Sequence, residues 1–211
     1  MPLARILVTG FGPFLSVEEN PSGSLAGALK NDPPEGVEVT ARVLPVSFEA
    51  APAHLAAALD AMDGAPDALL AMGVHAGEGF RLERRARAVF DSHKPDSEGR
   101  WGAEIAALPE GTLESSLDFE DLRSTLLAAG ARQASISENA GGYVCERTYH
   151  ALLSHGHRLG VASLFLHVPP VVALSTAEQL PIVRSLVARV AAPRPEAAGA
   201  PPIPPHLSEE S

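Results

Sequence analysis

The chain of 211 residues is 45% hydrophobic, long enough and apolar enough for one sizeable core, so a single α/β domain is the default expectation. Its formal net charge of -10 argues against the clustered Lys and Arg that phosphate-backbone binding requires, and no nucleic-acid partner is expected. One cysteine excludes an intrachain disulfide framework and any Cys-cluster metal site, which leaves Cys145 as either a buried apolar filler or a reactive thiol.

Residues 6–8 read as a short apolar strand. The N-terminus lacks the long apolar core and small-residue cleavage site of a signal peptide, and no run approaches transmembrane length. A cytoplasmic protein without membrane contact is expected. Thr9-Gly10-Phe11-Gly12-Pro13-Phe14 follows, where a phosphate loop would lie in a βαβ unit. It lacks the third glycine and the Lys-Ser/Thr ending, and Pro13 removes a backbone donor, so it makes a poor phosphate cradle. Phe11 and Phe14 suggest an apolar pocket for a small flat group, or else ordinary core.

Helix-like residues 25–29, strand-like 37–43, helix-like 48–62 behind a capping Ser47, and strand-like 68–72 come next. Residues 81–111 carry mixed charges, the turn-prone Pro95-Asp96-Ser97-Glu98-Gly99 and the only tryptophan, Trp101, and are expected to form a long loop or hairpin. Helix-like residues 117–129 precede a helix that begins around Cys145 and ends near His155-Gly156, then strand-like 161–167. Ser175-Thr176-Ala177-Glu178 fits a capping box for a last helix ending near Val190. This alternation predicts βαβ units in a three-layer α/β/α domain around a mixed, mostly parallel twisted sheet, spanning residues 1–192. The Pro/Ala-rich residues 193–211 are expected to be disordered, because they cannot bury enough surface to offset the entropy of ordering.

Ala140-Gly141-Gly142-Tyr143-Val144-Cys145 places the cysteine in the first turn of a helix. Unpaired N–H groups and the helix dipole there favour a thiolate, and the two glycines allow a substrate carbonyl to approach N–H groups that could form an oxyanion hole. The alternative is a small core residue in a tight strand-to-helix turn. His167 closes an apolar strand before Val168-Pro169-Pro170, at the edge of a sheet where sites of open α/β folds gather; it is either the base for that thiol or a satisfied strand-end histidine. The remaining histidines show no His-Glu-x-x-His spacing, and neither a metal nor a cofactor is expected.

The Ile6–Phe14 block with Asn20-Pro21-Ser22, the Leu44-Pro45-Val46-Ser47-Phe48 block, the stretch from Gly73 through Glu83-Arg84 to Gly99, and the Ser137–Cys145 block followed by Leu166-His167-Val168-Pro169 together resemble the pyroglutamyl peptidase I family over roughly residues 3 to 190. The resemblance implies a phosphorylase/hydrolase-like fold. It also implies a cysteine exopeptidase that removes an N-terminal pyroglutamyl residue through a thioester, with Cys145 as nucleophile, His167 as base and Glu83 as the acid orienting the imidazole. Composition and spacing alone would have read Glu83, beside Arg84, Arg85 and Arg87, as part of a solvated charge cluster. A pyrrolidone pocket lined by Phe11, Phe14, Tyr143 and Val144, with backbone at Gly73 and Val74 reading the lactam, is implied as well, and a homotetramer is the assembly the family suggests.

The chain departs from the family pattern in several places, and the stretch from Gly73 to Glu83 is about one residue shorter than that pattern. Val74-His75 stands where Gln-Ala is frequent, and Glu146 stands where Asn is common and would raise the pKa of the neighbouring thiol. His93 stands where many members carry Arg, with Arg87 and Arg100 nearby. Two other readings follow: a catalytically weakened homologue that binds pyroglutamyl peptides, and, by fold analogy alone, a nucleoside phosphorylase.

Overall fold

The computed structural model describes residues 3–14 and 17–192; the expectation of disorder over residues 193–211 lies outside them. In chain order the elements are β1 (Ala4–Phe11), α1 (Pro21–Asn31), β2 (Val37–Leu44), α2 (Ala50–Asp60), β3 (Ala68–Val74), β4 (Phe80–Glu83) and β5 (Arg85–Ala86). There follow a 3-10 turn, β6 (Leu113–Glu114), α3 (Phe119–Ala128), β7 (Ala134–Ser137), α4 (Val144–Leu159), β8 (Ala162–Val168) and α5 (Thr176–Ala191).

Six strands form one sheet in the order β2-β1-β3-β8-β4-β7. Every pairing in it is parallel except β4 with β8, where Leu82 opposes Leu166; β4 and β7 therefore run against the other four strands. Because side chains alternate across a strand, the two faces are separate cores. Ile6, Val8, Leu70, Leu164 and Leu166 pack under α1, α3 and α5, whereas Leu7, Leu69, Ala71 and Phe165 pack under α2 and α4. The result is the three-layer α/β/α arrangement expected from the alternation of elements.

Two strands were hidden in the sequence. Residues 80–83, expected to start a long loop, form β4 inside the sheet: Phe80 and Leu82 are buried on one face, while Arg81 and Glu83 point to the other. β7 (Ala-Ser-Ile-Ser) is an edge strand with one large apolar side chain, too weak a pattern to stand out. The excursion after β4 is closed where Arg85 pairs with Glu114, as the hairpin alternative anticipated. Buried Asp96 pins its middle to the start of α2 by accepting from the Phe48 N–H at 2.9 Å.

The caps behave as their chemistry requires. Ser175 and Glu178 form the reciprocal capping box at the start of α5, and Ser47 accepts from the Ala50 N–H at 3.1 Å. Contrary to the expected end near Gly156, α4 continues to Leu159 and is capped by Gly160 at φ 69°. Gly156 serves the packing instead: a Cβ there would lie 1.9 Å from Ser163 Oγ, so α4 can approach β8 closely only without a side chain.

Candidate active site

The sheet register assembles the polar site. Arg81 lies directly opposite His167 in the antiparallel β4–β8 pair, and Glu83, two residues along, points to the same face. From the other side Gly73 of β3 sits beside His167 in the parallel register. All of this falls on the face covered by α4.

His167 and Glu83 are both buried, and the imidazole Nδ1 lies 2.7 Å from Glu83 Oε1. A carboxylate only accepts, so the proton sits on Nδ1 and Nε2 is left as the basic nitrogen. Burial pushes the imidazole below the ordinary histidine value; hydrogen bonding to Glu83 and its charge oppose this, and Arg81 adds to it. Burial raises the Glu83 carboxyl, but the hydrogen bond from His167, with smaller contributions from nearby Ser137 and the charge of Arg81, brings it below the usual carboxylate range. The buried acid is thus ionised and the imidazole neutral at pH 7.

Cys145 is the second residue of α4, behind Tyr143 at the helix cap. Gly73 makes room for its sulfur: a Cβ at that position would lie 2.8 Å from Sγ and 3.1 Å from the Phe165 ring, whose centroid is 4.9 Å from that of His167. Thiol and Phe165 ring therefore meet over a residue that must lack a side chain, and the imidazole reaches the same place through its register with Gly73 and its contact with Phe165.

Two expectations about this cysteine are corrected. Gly141 and Gly142 do take positive φ, 100° and 64°, as the turn demands. Their N–H groups, however, donate to Asn139 Oδ1 at 2.9 Å and Glu146 Oε2 at 3.0 Å, so neither is available to an oxyanion. Nor is the thiol acidified. Burial drives its pKa up to about 12, the charges of Glu83 and Glu146 reinforce the rise, and Arg81 opposes it. Cys145 keeps part of its surface exposed, and the helix terminus, worth at most about 2 kcal/mol, works against the desolvation.

Glu146 is fully buried but not uncompensated. It accepts from the Arg87 N–H at 2.6 Å and from the Arg87 guanidinium at 3.2 Å, besides Gly142. Arg87 also holds Asp91, Arg100 pairs with Glu49 at the surface, and His93 is exposed. The acid next to the nucleophile therefore clamps the glycine turn.

A cavity of about 740 Å³ is lined by Phe14, Val17, Val74, His75, Tyr143 and Val171 among others, with Glu18, Glu19 and Lys94 at its exposed rim; Val74 and Tyr143 are chain neighbours of Gly73 and of the first turn of α4, while Cys145, His167 and Glu83 are not themselves part of its lining. The Phe14 and Tyr143 rings stand 6.3 Å apart, and the Tyr143 hydroxyl donates to the Pro95 carbonyl at 2.8 Å, tying the pocket wall to the long excursion. Of the six expected pocket residues, Phe14, Val74 and Tyr143 line this cavity. Phe11 and Val144 do not: both are buried in the core under α2 and α4, and Gly73 is buried beneath the thiol.

Sequence reasoning missed Arg81 and His75. His75 Nε2 bonds the Gly79 carbonyl at 2.7 Å while Nδ1 accepts from Gly77 N–H, which fixes a neutral ring 5.8 Å from that of His167. The alternation of charged and apolar residues over Phe80–Glu83 was the available signal for Arg81.

An α/β/α sheet bearing a buried acid–imidazole pair and a lone helix-start cysteine has the make-up of a cysteine hydrolase. The family model of pyroglutamyl peptidases matches residues 4–192, and the chain belongs to that family. The pyrrolidone-carboxylate peptidase of Gloeobacter violaceus is 34% identical over 169 residues, covering 78% of this chain and 81% of that one. The enzyme of the same name from Escherichia fergusonii is 34% identical over 174 residues, covering 79% and 78%. Among solved structures, pyrrolidone carboxyl peptidase from Pyrococcus furiosus superposes with a TM-score of 0.78 at 28% identity, covering 89% of this chain and 97% of that one. Pyroglutamyl peptidase I of Bacillus amyloliquefaciens, at 22% identity, shares the fold with a TM-score of 0.80 over 89% of this chain and 97% of its own.

Proposed function

We propose that this protein is a cysteine exopeptidase that hydrolyses the bond after an N-terminal pyroglutamyl residue of peptides. The observation that carries the reading is the buried Glu83–His167 hydrogen bond of 2.7 Å beside a cysteine whose sulfur packs onto Gly73, the residue in register with His167.

With the thiol protonated and the imidazole neutral at rest, His167 acts as general base at the moment of attack rather than through a preformed ion pair. Nε2 takes the Cys145 proton as Sγ bonds to the pyroglutamyl carbonyl carbon, and Glu83 stabilises the imidazolium that results. The N–H groups of the first turn of α4, at Val144 and Cys145, which have no carbonyl partner within the helix, receive the oxyanion. The C–N bond breaks as the leaving amine takes the proton from His167, leaving a thioester. Water, deprotonated by His167, attacks the thioester, releasing pyroglutamate and restoring the thiol.

Phe14, Val74 and Tyr143 offer an apolar seat for the ring. A pyroglutamyl end is a neutral lactam, while an ordinary peptide terminus would bring an ammonium that such a wall leaves without a partner. Compensation of Glu146 by Arg87 removes one of the two motives for a weakened, binding-only homologue, the other being the short stretch from Gly73 to Glu83. Among the described residues no helix is long and apolar enough to cross a membrane, and a reducing cytoplasm is the setting this reading assigns to the lone thiol. Assembly as a homotetramer belongs to the same reading, and light scattering measures it. The test is a pyroglutamyl arylamide: the folded protein should release the arylamine, iodoacetamide should abolish release, and a prolyl arylamide should remain intact. A folded, reduced protein that leaves the pyroglutamyl substrate untouched would refute the reading.

A further inference from the structure

Arg81 is not needed by the mechanism above, yet it lies closer to the acid than any other cation among the described residues. Its Nε is 2.6 Å from Glu83 Oε1, the same oxygen that His167 Nδ1 approaches at 2.7 Å. Its Nη2 lies 3.2 Å from Nδ1 itself. Both nitrogens are donors, because Nδ1 already gives its proton to the carboxylate, so that short approach is no hydrogen bond. It is a positive charge held against the neutral imidazole, tolerated because both donors share one anion. The guanidinium is about a third exposed, 30%, while the carboxylate is fully buried, so Arg81 also connects the buried charge to solvent.

We propose that Arg81 is a positioning residue of the triad: by sharing Oε1 of Glu83 with His167 it keeps the carboxylate ionised and opposes an imidazolium in the resting enzyme. This rests on the reading of Glu83, His167 and Cys145 given above. The other titratable groups facing His167 are His75 from the β3 side and Glu83 itself from β4, while from α4 the Cys145 sulfur lies against Gly73, the register neighbour of His167. Arg81 is the cation set against both Glu83 and His167, and it acts on the thiol in the same direction, favouring its ionised form. The resting balance of neutral imidazole and protonated thiol thus has a single adjustable charge on β4. The guanidinium's fork, planar and permanently charged, suits the shared oxygen better than a flexible ammonium would.

The experiment compares wild-type protein with Arg81→Gln and Arg81→Lys, following the His167 imidazole by NMR across a pH titration and kcat and KM on a pyroglutamyl arylamide across the same range. In Arg81→Gln the imidazole midpoint and the acid limb of kcat/KM should both move to higher pH, kcat should fall roughly tenfold with KM little changed, and Arg81→Lys should return both midpoints toward wild type. An unchanged imidazole midpoint in a folded Arg81→Gln protein overturns the proposal, as does loss of activity with an unmoved acid limb, which would mark Arg81 as merely structural. If wild-type protein lacks turnover altogether, the peptidase reading fails, and the NMR midpoints still decide the role of Arg81.

Discussion

Gly73 is the residue where packing and chemistry meet. A single methyl group there would lie 2.8 Å from the Cys145 sulfur, and the backbone of Gly73 is held in the sheet by its pairing with β8. Gly73→Ala should displace the thiol and lower kcat by about 100-fold, the order expected for misplacing a reacting group by about 1 Å, while the fold persists. Steady-state kinetics alongside a melting curve check this, and undiminished kcat would contradict it. Glu146 makes a second case. Its charge raises the pKa of the thiol, so Glu146→Gln should speed alkylation of Cys145 at neutral pH while lowering stability by about 1 to 3 kcal/mol through the weakened bonds to Arg87 and Gly142. A slower alkylation would show that the clamp on the turn outweighs the charge.

At this scale Cys145 and His167 were legible because their sequence neighbours, a glycine pair before a helix and a strand terminator, carry local physical meaning. Glu83 could be assigned from family likeness alone, since its role depends on a partner 84 residues away. Nothing local could reveal that the glycine N–H groups are occupied by Asn139 and Glu146, or that burial outweighs the helix terminus at the thiol.

Among elements, the parallel half of the sheet was readable because β1, β3 and β8 are buried on both faces and so read as apolar runs. β4 escaped notice because its site-facing positions are Arg81 and Glu83, so the strand resembles the charged segment that follows it. The functional demand for charge on that face erased the hydrophobic signal. The run of α4 past Gly156 has a similar origin, since that glycine answers to packing against β8 rather than to helix termination. Gly156→Ala would force a Cβ to within 1.9 Å of Ser163 Oγ and 3.0 Å of Ser163 Cβ. The expected cost is about 1 to 3 kcal/mol of stability, read as a lower melting temperature; an unchanged or raised melting temperature would mean that helix and strand separate freely.

The whole molecule should be sensitive to mild acid. His75, His155 and His167 all have pKa values held below the ordinary 6.5, in each case first by burial. An unfolded chain regains the ordinary value and so binds more protons than the folded one just below pH 6.5, which makes stability fall as pH drops from there through the folded-state values. Glu83 adds a second loss at lower pH: its folded pKa is below 4.5, so its contribution is present above that value and disappears as pH falls through the folded one. Melting temperatures measured from pH 7 to pH 3 should decline from about pH 6.5 downward, and a flat curve to pH 5 would contradict the neutral, buried imidazoles. The measurement that bears most directly on the central claim is kcat/KM on a pyroglutamyl arylamide for wild-type protein and for Cys145→Ala of matched melting temperature, with calorimetry of a pyroglutamyl peptide on the variant. The account predicts a loss of roughly 10⁴-fold or more with binding retained; a Cys145→Ala protein that still turns over the substrate at a comparable rate would contradict it.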